Sequence, residues 1–220
     1  MRPMRHDDWG STRRATALIA METLEDIRKE ILNCKKCPLH LTKKNYVPGS
    51  GSGKSGIVFV GEAPGREEDL RGEPFVGSAG KLLTELLSSV GLTREEVFIC
   101  NVLKCRPPNN RDPLPEEVEA CGSYLVRQLN ALKPDLIVCL GRHSASYIFS
   151  LFGLNFSSIT KVCGRVFEVE EWDKKVKIFP LYHPAAVLYR VQLREEYERQ
   201  FRLIGELCGK ERKQRTLFDF

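Results

Sequence analysis

Four short apolar runs constrain this chain most: Ile57–Val60, Val97–Cys100, Leu136–Leu140 and Ile178–Leu181. Each is rich in β-branched or aromatic residues and apolar throughout, the pattern of strands covered on both faces. Helical patterns lie between them. Leu82, Leu83, Leu86, Leu87 and Val90 mark one, with Gly91 as its stop. Val118, Cys121, Leu125, Leu129 and Leu132 mark the next, with Pro113 and Pro115 near its start, and a third begins after Gly141. Strands alternating with helices predict a single-domain, three-layer α/β/α fold with a central, mostly parallel four-stranded sheet. Val166–Val169 and Val176–Phe179, joined by a polar turn, read as a late hairpin. The last helix is expected from about Leu193 to Leu207. Upstream, Ile19, Met21, Leu24, Ile27 and Ile31 predict an amphipathic helix over 16–31.

The polar residues 1–14 read as a loose arm, 15–208 as the folded domain and 209–220 as a basic tail. A chain of 220 residues, 42% hydrophobic and 29% charged, can bury a core and is not expected to be disordered. No apolar run approaches the ~20 residues of a membrane span, and the first residues lack the apolar core of an export signal. A cytoplasmic, monomeric protein is the expectation. The net charge of +5 permits a nucleic-acid partner without requiring one. Eight cysteines without an export signal point to metal ligands, buried thiols or both.

Gly49-Ser50-Gly51-Ser52-Gly53-Lys54-Ser55 imitates a phosphate loop, but the glycine spacing is one residue short. It also precedes its strand, where a phosphate loop follows one. A flexible surface loop is the reading. The strand ends are more informative, because ligands of parallel α/β sheets bind outside the carboxyl ends of the strands. The first run leads into Gly61-Glu62-Ala63-Pro64-Gly65, where the glycines permit close approach and Pro64 stiffens the turn. The second ends in Asn101, whose amide both donates and accepts. The fourth ends in Tyr182-His183-Pro184-Ala185-Ala186-Val187-Leu188. Three polar groups on one predicted rim are what a small-ligand pocket needs.

Together these segments resemble the uracil-DNA glycosylase superfamily, most closely the iron–sulfur family 4 enzymes of archaea and thermophilic bacteria. The matching pieces are GEAPG followed by acidic residues, Asn101 within NVLKCRPPNNRDP, HPAAVL from His183 to Leu188, and Gly72-Glu73-Pro74-Phe75-Val76-Gly77. The resemblance spans about Leu24 to Gln200. It implies an enzyme that flips uracil out of DNA and hydrolyses the N-glycosidic bond; a broader deaminated-base glycosylase and a non-catalytic iron–sulfur DNA-binding protein are the alternatives. Asn101 would pair with uracil O4 and N3–H, an edge that cytosine reverses. Phe75 would stack on the flipped ring, and Glu62, Ala63 and Pro64 would line the pocket. His183 would donate to uracil O2 as negative charge develops on the departing base. Glu62 would orient water or balance the sugar cation. Some superfamily members carry Asp one position later, where this chain has Ala63, so a strong general base is not implied. No lysine in these motifs is placed as a Schiff-base nucleophile, so no lyase step is expected. Val187 or Leu188 would wedge into the base stack. Lys104, Arg106 and Arg111 would meet phosphates.

Cys34 and Cys37 have a chelating spacing, and Cys105 and Cys121 lie downstream. Spacing alone leaves zinc and a [4Fe-4S] cluster both open; the resemblance implies the cluster, held by these four. Cys100 and Cys139 read as core residues, and Cys163 and Cys208 match no ligand position. In the tail, Gln214, Leu217 and Phe220 have the spacing of a sliding-clamp-binding peptide, which adds a clamp to uracil-containing DNA as expected partners.

Overall fold

A computed structural model of the chain describes residues 22–207. Five strands form one sheet: β1 (Ile57–Gly61), β2 (Phe98–Asn101), β3 (Leu136–Leu140), β4 (Phe167–Glu171) and β5 (Lys174–Leu181). Their order is β2-β1-β3-β5-β4. β1 pairs in parallel with β2 and β3, and β3 with β5; only β4 is antiparallel, on the edge against β5. The expected parallel set of four is therefore present, and a fifth strand joins it. The arm Val176–Phe179 and the run Ile178–Leu181 are one continuous strand, and β4 is the other half of its hairpin. β4 escaped the count because its side chains alternate, with Glu168 and Glu170 exposed. An edge strand with one wet face carries half the apolar signal of a buried one.

The helices are α1 (Leu24–Leu32), α2 (Leu39–Thr42), α3 (Arg66–Arg71), α4 (Ser78–Ser89), α5 (Pro115–Leu132), α6 (Arg142–Leu151), α7 (Ile159–Val162), α8 (Pro184–Tyr189) and α9 (Arg194–Leu207). Successive strand residues face opposite ways. Phe59 and Phe179 pack with Leu83 and Leu86 of α4 and Phe201 of α9 on one face. Val58, Val60 and Ile137 pack with Leu125 and Leu129 of α5 and Ile148 of α6 on the other. Phe59 and Phe201 are wholly buried and stack at 6.1 Å between centroids. Burying each such side chain contributes about 1.5–3 kcal/mol.

α1 opens on a capping box: Thr23 Oγ1 accepts from the Asp26 N–H, and Asp26 Oδ2 accepts from the Thr23 N–H. Ile27 and Ile31 turn inward against Leu103 and Tyr124. Arg127 of α5 ion-pairs with both Glu22 and Glu30, so the N-terminal helix is latched to the domain. The expected start of this helix near residue 16, the arm 1–14, Cys208 and the tail 209–220 lie outside the described residues. The glycine-rich segment 48–56 is not the flexible loop expected of it. Ser50 exchanges two backbone hydrogen bonds with Ile99, and Ser52 donates to the Glu95 carbonyl. Backbone pairing along β2, invisible in the composition, fixes it.

Candidate active site

β1, β2, β3 and β5 end on one rim, and the polar residues read from the sequence meet there. Asn101 closes β2 and is 2% exposed. Gly61 closes β1 opposite it. A side chain at Gly61 would collide with Asn101 Oδ1 and would place its Cβ 2.7 Å from Phe75 Cζ. The absence of that side chain lets amide and ring share one small space. Phe75 also stacks on His183, with centroids 5.6 Å apart and planes 29° apart.

Phe75 is clamped from both sides, although its backbone takes the left-handed conformation unusual outside glycine (φ 52°). Arg94 donates to the carbonyls of Pro74 (2.6 Å) and Phe75 (3.1 Å). Glu68 of α3 accepts from the N–H groups of Val76 and Gly77, both at 2.9 Å. The Phe75 carbonyl occupies the space that a side chain at Gly80 would need. Nothing in the motifs singled out Arg94, which lies 19 residues from the carbonyl it holds.

His183 caps α8 with its ring: Nδ1 accepts from the Ala185 N–H at 3.2 Å. That bond requires an unprotonated Nδ1, so Nε2 carries the proton and is a donor. Burial lowers the His183 pKa to about 4, against a smaller opposing pull from Glu68, so the ring is neutral at physiological pH. The chain entering this turn is held by Tyr197, whose hydroxyl donates to the Tyr182 carbonyl at 2.9 Å.

Glu62 follows β1 and is partly exposed. Burial raises its pKa; His143 and Arg142 pull it down and Asp112 pushes it up. His143 Nε2 lies 3.7 Å from Glu62 and 3.5 Å from Asp112, and Arg142 pairs with Asp112 at 2.5 Å. Neither His143 nor Asp112 was singled out in the sequence. Each belongs to a different loop or helix, and only closure of the sheet brings them to Glu62. Pro64 is buried and Ala63 packs toward the cysteines, so Glu62 is the member of its turn with a reactive group on the rim.

Two expected DNA contacts do not stand. Lys104 is 1% exposed, with its ammonium inside the protein, so it cannot reach a phosphate. Val187 is 2% exposed and packs in the core beneath α8, so it cannot wedge between bases. Its neighbour Leu188 is 44% exposed, followed by the still more open Tyr189 and Val191. Arg106 remains partly exposed and donates to Asn110 Oδ1 at 2.7 Å, while Arg111 is engaged by Glu117 through both guanidinium nitrogens.

Cys34, Cys37, Cys105 and Cys121 come from three separated segments and line one cavity with Tyr46, Tyr124, His40 and Lys104. None of them is in a disulfide. Burial, and then the neighbouring thiols, push the pKa of Cys105 far up; Cys121 is raised to about 11, chiefly by burial. Burial raises the Cys37 thiol as well, and the positive charge of a metal core would reverse that penalty on neighbouring thiolates. The backbone N–H groups of Lys36 and Lys104 point at Cys34 Sγ (3.5 Å) and Cys121 Sγ (3.2 Å), as donors to thiolate ligands do. The all-sulfur donor set fits an iron–sulfur cluster and equally a structural zinc. Cys100 and Cys139 lie wholly inside strands, as expected of core residues.

The fold and rim define a doubly covered α/β protein whose strand ends bring together an aromatic ring, an amide and a neutral imidazole donor. A profile of the uracil DNA glycosylase superfamily matches residues 48–203. Type-4 uracil-DNA glycosylases are similar along most of their length. That of Archaeoglobus fulgidus is 69% identical over 200 residues, covering 91% of this chain and all of the relative. That of Sulfurisphaera tokodaii is 54% identical, covering 86% of each chain. That of Thermotoga maritima is 48% identical, covering 76% of this chain and 84% of its own. The chain belongs to the uracil-DNA glycosylase superfamily, in its type-4 family.

Proposed function

We propose that this chain removes uracil from DNA by hydrolysing the N-glycosidic bond, releasing free uracil and leaving an abasic site. The convergence of Asn101, Phe75 and His183 carries the reading. Uracil presents O4 as acceptor and N3–H as donor, and the Asn101 carboxamide complements both; cytosine presents the reverse and leaves a buried amide unpaired. Phe75, held rigid by Arg94 and Glu68, supplies the stacking face. His183 Nε2–H donates to uracil O2 as the C1′–N1 bond breaks and its electron pair moves onto the base. A neutral donor stabilises that anion without giving up its own proton. Glu62 faces the sugar, where it orients the incoming water and offsets the developing cation, with His143 and Arg142 favouring its ionised form.

DNA is the substrate partner. Leu188, with Tyr189 beside it, is the wedge that fills the space left by the flipped base, and Arg106 meets a backbone phosphate. Cys34, Cys37, Cys105 and Cys121 hold a [4Fe-4S] cluster that cross-links the N-terminal segment to the loop after β2 and to α5. Among the described residues no helix is long and apolar enough to cross a membrane. The tail residues Gln214, Leu217 and Phe220, outside the described residues, bind a sliding clamp. Deleting 214–220 removes clamp binding and leaves uracil release intact; unchanged clamp binding rejects that assignment.

The deciding experiment offers the protein oligonucleotides with U·G, U·A, single-stranded U, T·G or hypoxanthine. Uracil release from the uracil substrates, lost in Asn101→Ala and His183→Ala while iron content is kept, is the expected result. No release from any of them rejects the reading.

A further inference from the structure

We infer that Lys104 is a positioning residue that ties the uracil-reading end of β2 to the cysteine centre, so that base recognition depends on that centre being intact. The inference rests on the reading of Asn101 as the contact to the base edge. Five residues, Asn101 to Cys105, run from that contact to a cysteine of the centre. Lys104 is the buried lysine within them. Its Nζ turns back to donate to the Asn101 carbonyl at 2.7 Å and donates to Gln128 Oε1, also at 2.7 Å. Gln128 in turn donates to the Pro48 carbonyl at 2.8 Å, fixing the far end of the brace. The backbone N–H of the same lysine points at Cys121 Sγ at 3.2 Å. One residue thus holds the backbone of the base-reading asparagine with its side chain and a cysteine sulfur with its main chain.

The neighbouring bonds make the brace stiff. Val102 N–H donates to the Gly61 carbonyl and Leu103 N–H to the Glu62 carbonyl, each at 3.0 Å, so the segment is sewn to the pocket loop. Val47 N–H donates to the Lys104 carbonyl at 2.8 Å. A hydrophobic side chain of similar length would fill the volume, but it would leave the Asn101 carbonyl and Gln128 Oε1 without these donors inside the protein. When Cys121 and Cys105 are fixed by a metal core, the Lys104 backbone is fixed with them, and its side chain transmits that position three residues back to Asn101. Loss of the core frees the same segment.

The test compares anaerobically purified full-length protein with Lys104→Met and Gln128→Leu. Iron content, inhibition by free uracil and amide exchange over 98–105 are measured before and after chelation. Lys104→Met is expected to retain iron, to weaken uracil inhibition about tenfold, and to speed exchange at Val102 and Leu103 while β3 amides stay protected. Chelation is expected to weaken uracil inhibition in the wild type and to add little in Lys104→Met. Gln128→Leu, which leaves the lysine in place, is expected to shift both readouts in the same direction by less, and it decides the matter if Lys104→Met does not fold. Wild-type uracil inhibition in Lys104→Met, with or without iron, overturns the inference, as does unchanged inhibition in Gln128→Leu if that variant stands alone. Asn101→Ala, expected to release no uracil, separates the two claims by equilibrium binding of free uracil, measured beside Lys104→Met. Unchanged binding in Asn101→Ala sinks the reading of Asn101; binding abolished there but kept at the wild-type level in Lys104→Met sinks only the coupling.

Discussion

Replacing Gly61 with alanine is expected to lower kcat/KM by about two orders of magnitude with only modest loss of stability. The backbone of Gly61 does not lie in the left-handed region, so alanine is conformationally allowed and the effect isolates one added methyl group. That methyl carbon would stand 2.7 Å from Phe75 Cζ and 2.8 Å from Cε2, and closer still to Asn101 Oδ1. Comfortable carbon–carbon contact is about 3.5–4.0 Å, so ring or amide must retreat by nearly ~1 Å. Neither can move freely. Asn101 and Phe75 are 2% and 5% exposed, and Arg94 and Glu68 hold the backbone on both sides of the ring. A displacement near ~1 Å in a reacting constellation costs about a hundredfold in rate, or roughly 2.7 kcal/mol of transition-state stabilisation. Overpacking at a single site costs about 1–3 kcal/mol of folding stability, a fall in Tm of several degrees. Single-turnover uracil release from a U·G oligonucleotide, read beside a thermal melt, measures both. Activity within about threefold of wild type would refute the reasoning, because the methyl group would then have been accommodated without disturbing Asn101 or Phe75.

The His183 pKa of about 4 predicts that this ring stays neutral from pH 8 to pH 5, so any activity loss in that range has another origin. Because its folded pKa lies below the unfolded value of 6.5, the unfolded chain takes up the proton first. The contribution to stability is complete above about 6.5 and is lost as pH falls toward 4, on the order of 3 kcal/mol at most. Melts of wild type and His183→Gln across that window should converge as pH falls; parallel curves would count against the assignment. His143→Gln removes the neighbour that most lowers the Glu62 pKa, so the acid limb of kcat should move to higher pH, with Glu62→Gln as the variant lacking that limb. Cys105→Ser should lose iron and visible absorption before it loses fold, and normal iron content in that variant would contradict the ligand set.

The sheet was legible because its central strands are covered on both faces, and β1, β2, β3 and the end of β5 therefore appear as unbroken apolar runs. β4 was legible only as part of a hairpin, since an edge strand has one face in water. Asn101 and His183 were legible because each stands at or just past a strand end within a local motif, and Phe75 because the family resemblance marks the segment between α3 and α4. Arg94, His143 and Asp112 were not: their roles arise from contacts across 19 to 81 residues, which no local pattern encodes. Lys104 and Val187 show the opposite failure. A lysine among arginines reads as a surface cation and a valine at a helix start reads as a free apolar group, yet both turn inward.

The sequence by itself determined the layered fold, through periodicity, and the family, through the resemblance of its motifs, because both are properties of neighbours along the chain. The tertiary structure decided how those pieces act together. It set the His183 tautomer through the Ala185 N–H, clamped Phe75 between Arg94 and Glu68, and turned Lys104 from a supposed phosphate contact into a buried brace. Each of these is a matter of burial and of hydrogen bonds between segments, and those exist only once the sheet has brought the strand ends to one rim.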